Sequence, residues 1–177
     1  MAPPPAAAAA ARWAAGAAQF VAGLEPYKRL GAVVIRETCA SVAVSNPYLN
    51  LSERAGGIML RQGRVPARSL QVLVTKAVAP DALCGWVIGC ERGTAAPGLL
   101  PPDRAATLAE LLRALDAIAP GMPLCWHARP ASEGPSCRIY PGAPRGGGGG
   151  GGLAECNVGG EFLQSFLDSL GGLNTFG

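Results

Sequence analysis

Aromatic side chains are scarce in this sequence, with Phe, Trp and Tyr together supplying 6% of 177 residues. A core must therefore be built from Leu, Val and Ile around a few large anchors, for which Trp13, Trp86 and Trp126 are the candidates. Charge is scarce too. Asp, Glu, Lys and Arg reach only 15%, against about 25% in ordinary soluble domains. Apolar residues make up 49%, much of it alanine, and this balance excludes a predominantly disordered chain. No run approaches the ~18 continuous apolar residues of a membrane span. The opening MAPPPAAAAAARWAAGAAQF lacks the charged start and Leu-rich centre of a secretory signal. The expectation is an intracellular protein of cytoplasm or nucleus. The first 24 residues contain no acid, as in an organelle presequence, although such peptides carry more Ser and Arg.

Histidine occurs once, as His127, so any imidazole acid or base must be this residue. On a strand, Cys125 and His127 share a face, which permits a thiol-imidazole pair or a metal site. No nucleophile signature surrounds them, and no cysteine pair has the short gap of a zinc knuckle. Walker and Rossmann glycine patterns are absent, and no close carboxylate pair sits on a common element. These absences lean away from an enzyme, with no metal and no cofactor expected. The six cysteines are an even number; without a secretory route they read as free buried thiols. The sequon Asn50-Leu51-Ser52 reads likewise as a polar turn. Tyr48-Leu49-Asn50 has the form of a phosphotyrosine tripeptide, too short to carry an argument.

What the sequence has in excess is Ala, Gly, Pro and Arg, with thirteen Arg against two Lys, the signature of a GC-rich genome such as that of a large DNA virus. The length fits one domain. Residues 1–11 read as a disordered Pro/Ala tail, 12–145 as a single α+β domain, 146–152 as a polyglycine linker, and 153–177 as an amphipathic C-terminal segment.

Within the domain, apolar residues at helical spacing predict a helix from Arg12 to Leu24, and β-branched residues predict one strand, or two with a bulge, over Leu30–Ser45. Two apolar runs, Ile58–Leu60 and Leu70–Val78, flank Gly63 and Pro66 and predict a β-hairpin, with Leu83–Cys90 as a third strand beside it. Leu108, Leu111, Leu112, Leu115 and Ile118 predict a long helix over 103–119 capped by Asp103. Pro123–Ala128 and Cys137–Tyr140 are short strand candidates. The fold expected is α+β: a small, mainly antiparallel sheet with one long helix packed on it, helices on one side, an N-terminal helix and a tethered C-terminal helix.

Three functional readings follow. The first is a non-enzymatic interaction, adaptor or assembly protein, in which the C-terminal stripe Phe162, Leu163, Phe166, Leu167 and Leu170 enters a partner's groove. The second is nucleic-acid binding by Arg61, Arg64, Arg68 and Lys76, which lie in a stretch from Arg54 to Pro80 without any acid. The third is a small thiol or metal enzyme centred on Cys125 and His127.

Overall fold

The computed structural model describes residues 12–92, 94–128 and 158–171. In chain order these form α1 (Ala17–Ala22), β1 (Arg29–Ile35), β2 (Cys39–Ser45), β3 (Ser52–Met59), α2 (Ala67–Ala77), β4 (Leu83–Cys90), α3 (Pro102–Ile118), β5 (Leu124–Trp126) and α4 (Val158–Gly171). The fold is α+β, a five-stranded mixed sheet ordered β3-β2-β1-β4-β5 with the long helix α3 packed on it. The β1/β2 and β2/β3 pairs are antiparallel, and β1/β4 and β4/β5 are parallel. The tail 1–11, the strand candidate Cys137–Tyr140 and the glycine run 146–152 lie outside the described residues.

Helices cover both faces of the sheet, which corrects the expected one-sided arrangement. On one face Val33, Val42, Trp86 and Ile88 meet Leu70 and Val74 of α2 and Leu108, Leu111 and Leu115 of α3. On the other, Ala32, Val34, Ala43, Val87 and Cys125 meet Phe20 of α1 and Phe162, Leu163, Phe166 and Leu167 of α4. A strand buried on both sides has no polar face to alternate with. This is why β2 and β4 are buried at every position and the apolar alternation over Leu30–Ser45 is loose.

The hairpin expected over Ile58–Val78 is a strand, a turn and a helix. Leu70, Val74 and Val78 are buried at four-residue steps while Arg68, Gln71, Val72, Thr75 and Lys76 are exposed, the helical period hidden behind β-branched composition. β4 consequently lies beside β1 and β5 rather than beside the Leu70 run. The N-terminal helix is shorter than expected: Gly16 stands at its N-cap, and the preceding Trp13 instead forms a parallel bridge to Leu124 at the edge of β5. Asp103 falls inside the first turn of α3 rather than at its cap, because the helix begins at Pro102, a residue preset for a first helical position.

α4 crosses β1, β2 and β3. Its Gly159 sits so close to the sheet that a Cβ there would lie 3.1 Å from the Val42 backbone, so glycine is what lets the helix start seat on β2. Ser52 Oγ donates to the Gly160 carbonyl at 2.8 Å and the Gln164 amide donates to the Asn50 carbonyl at 3.1 Å, tying α4 to the β2–β3 connection.

Candidate functional site

The chain leaves β1 through Arg36–Thr38 toward β2 on one side, and leaves β4 toward α3 and β5 on the other. Connections that diverge from two adjacent parallel strands leave the gap between their carboxyl ends unroofed, and in open sheets ligands favour such crevices. A cleft of about 750 Å3 opens there, lined by Arg36 and Glu37 after β1, Glu91, Arg92 and Thr94 after β4, and Arg104 at the start of α3.

The cleft's charges are largely committed to the protein. Arg36, 6% exposed, donates through Nη2 to Glu91 Oε1 at 2.7 Å. Burial acts to lower the Arg36 pKa, but the hydrogen bond and charge of Glu91 outweigh it and raise it. Arg104 Nη1 donates to the carbonyls of Arg36 at 2.6 Å and Glu37 at 3.3 Å, and its Nε lies 3.9 Å from Asp103. Burial raises the Cys90 pKa. Three arginines and three acids therefore meet at this edge with two of the arginines fixed in place, a balanced site rather than an anion trap. Sequence reasoning assigns none of these residues to a site, and names Asp103 only as a helix cap. The available signal was a pair of apolar runs that each end in a charged couple, Arg36-Glu37 and Glu91-Arg92.

A different surface carries unneutralised charge. β3 runs parallel to β1, two antiparallel steps away, so its end and the turn that follows share the cleft's edge of the sheet. Arg61 and Arg64 exchange both backbone hydrogen bonds, at 2.9 and 3.0 Å, across a two-residue turn. Gln62 and Gly63 between them have φ of 54° and 76°, the left-handed pair of a type I′ turn. Thr107 of α3 donates to the Gly63 carbonyl at 2.7 Å, and Glu110 accepts the Val65 amide at 3.0 Å, so α3 fixes this turn. The two arginines are cross-strand partners, an arrangement in which like charges repel. Arg68 follows in the first turn of α2, which has no acid there and no side-chain cap, against the preference of a helix start for negative charge.

Arg54, Arg61, Arg64, Arg68 and Lys76 are all exposed, and none has an acidic partner among the described residues. By contrast Arg12, Lys28, Arg29, Arg36 and Arg104 are each ion-paired. Of the four cations singled out from sequence, the structure brings Arg61, Arg64 and Arg68 together. Lys76 is carried to the far end of α2, roughly 12 Å from Arg68 at 1.5 Å per residue.

Cys125 and His127 both face α4, as strand alternation implies. Their surroundings are those of a packed core. The His127 ring makes edge contacts with Phe162 and Phe166, with centroids 5.1 and 5.4 Å apart, and its Nε2 lies 3.2 Å from Ser165 Oγ. Burial pushes the Cys125 and Cys84 thiols up to about 11, so only about one in a thousand is ionised near pH 8. Native protein is therefore expected to leave both cysteines unmodified by iodoacetamide near pH 8 while a urea-unfolded sample is fully alkylated, as read by peptide mass spectrometry. Fast native labelling of Cys125 would restore the thiol-enzyme reading. Among the described residues, no three His, Cys, Asp or Glu side chains gather where a metal ion could be held, and no helix is long and apolar enough to cross a membrane.

The C-terminal stripe is occupied by the chain itself. Phe162, Leu163, Phe166, Leu167 and Leu170 are 0–4% exposed, while α4 turns Glu161, Asp168 and Ser169 outward. No protein-family model matches this chain, and no match was found among curated proteins.

Proposed function

We propose that this protein binds nucleic acid through phosphate contacts along its β3–α2 side, with Arg61, Arg64 and Arg68 at the centre and Lys76 flanking them. The observation that carries the reading is the unneutralised cluster: two arginines held opposite one another and a third in an acid-free helix start, whereas Arg12, Lys28, Arg29, Arg36 and Arg104 are each ion-paired. Such an arrangement opposes folding locally and is relieved by an external polyanion. A role as an interaction or assembly protein through the α4 stripe would require α4 to leave the sheet, and this favours the nucleic-acid reading over it.

Phosphate binding releases counterions, so affinity falls with salt at a slope of about 0.9 per contact on a double-logarithmic scale. With three to four contacts, raising salt from about 50 to about 200 mM is expected to weaken binding of a labelled DNA duplex by about 40- to 150-fold. Fluorescence anisotropy of the full-length chain measures this directly. Absent or salt-insensitive binding removes the proposal.

A further inference from the structure

The position and surface of α2 narrow the partner further, on the premise that the nucleic-acid reading holds. α2 lies over β3, the edge strand, and so forms a flank of the molecule. Its 11 residues contain no acid. Arg68, Gln71, Val72, Thr75 and Lys76 occupy one continuous exposed arc at helical spacing, opposite the buried Leu70 and Val74.

The chemistry of that arc changes along its length. Cations stand at both ends, Arg68 and Lys76, and between them lie an amide and an apolar side chain. Val72 is 60% exposed. The Thr75 hydroxyl is engaged with the Gln71 carbonyl at 2.8 Å, whereas the Gln71 side chain makes no hydrogen bond among the described residues. An amide is the group that pairs with adenine, and an aliphatic side chain is one that touches the thymine methyl in the major groove.

Single strands are recognised by stacking bases on aromatic rings. The exposed tyrosines, Tyr27 at 81% and Tyr48 at 73%, precede β1 and follow β2 respectively, placing them at the opposite edge of the sheet from Arg61 and Arg64. A duplex fits the basic side better. Among duplexes, B-form DNA has a major groove about 12 Å wide that admits a helix, while the A-form groove of RNA is too narrow for side chains to read.

We infer that α2 enters the major groove of duplex DNA, with Gln71 and Val72 at base edges and Arg61, Arg64, Arg68 and Lys76 on the flanking phosphates. The test compares the full-length chain on three fluorescent probes at one salt concentration: randomised DNA duplexes of two helical turns, RNA duplexes of the same sequences, and single-stranded DNA. The DNA duplex is expected to bind about tenfold or more tighter than the RNA duplex. The double variant Gln71→Ala, Val72→Ala keeps every charge and replaces exposed helix residues by a better helix former. It is expected to lose about tenfold on the DNA duplex, with an unchanged salt slope and unchanged affinity for RNA. Equal affinity for the two duplexes, tighter binding of the single strand, or full DNA affinity in the double variant would overturn the inference and leave salt-dependent binding intact. Failure to bind any probe would remove the nucleic-acid reading itself.

Discussion

Phe166→Ala is expected to destabilise the protein by about 3–5 kcal/mol, a large share of the ~5–15 kcal/mol that holds an ordinary domain folded. Phe166 is 1% exposed. Its ring makes edge-to-face contacts with Phe20 at 6.1 Å and His127 at 5.4 Å, so one truncation weakens the contacts of α4 with α1 and with the chain just past β5. Neighbours from two separate segments cannot collapse together into the void, which is what places the loss at the upper end for a core deletion. Urea unfolding followed by the fluorescence of the three tryptophans, among them the buried Trp86, reads the change as a lower midpoint at constant slope. Asp168→Ala, on the exposed side of the same helix, is expected to stay within about 0.5 kcal/mol. The contrast separates two roles for one stripe. A helix reserved for a partner would lose capture on Phe166→Ala while the urea midpoint held, whereas a helix that closes the core loses the midpoint.

The same stripe shows what the sequence can and cannot convey. The spacing of Leu163, Phe166, Leu167 and Leu170 marks a helix with one apolar face, and the helix is present. What that face touches is absent from local periodicity, because its partner is a sheet assembled from β1, β2 and β3 more than a hundred residues earlier. The signal lay in those strands. Val33, Val34 and Ile35 are consecutive apolar residues, as are Trp86, Val87 and Ile88, and such runs indicate burial on two faces and therefore a second helical layer. α2 misled for the opposite reason. Val72, Val74 and Thr75 gave its segment the composition of a strand, and only the four-residue interval from Leu70 to Val74 to Val78 carried the helical answer.

The cationic surface was legible as a cluster in the chain but not as a shape. Arg61 and Arg64 stand three positions apart, and only the turn through Gln62 and Gly63 makes them direct neighbours across a ladder. Lys76 belongs to the same acid-free stretch, yet a helix instead of a strand moves it away from them and aligns it with Arg68 along a flank. The cleft between β1 and β4 was invisible for a topological reason. It depends on β4 returning beside β1 after β2 and β3 have been laid down on the other side, and no local pattern records that order.

Combining Arg61→Ala, Arg64→Ala and Arg68→Ala is expected to remove three phosphate contacts and reduce the salt slope by about 2.7. Counterion release is referred to ~1 M salt, so the corresponding loss near 0.1 M is about 500-fold in DNA affinity. Lys76→Ala alone, one contact at the far end of α2, is expected to cost about eightfold by the same relation. Stability supplies the decisive second readout. The three side chains are exposed, and none holds an acid among the described residues. Removing them eliminates the repulsion across the Arg61–Arg64 pair and the unfavourable charge at the start of α2. The triple variant is therefore expected to unfold at the same urea concentration as the parent or at a slightly higher one. Loss of binding with stability held or raised is the behaviour of residues kept for a ligand against their folding cost. A triple variant that binds as the parent does, or one that unfolds more than ~1 kcal/mol early, would instead remove these arginines as the binding surface and leave the cleft at the ends of β1 and β4 as the next surface to test.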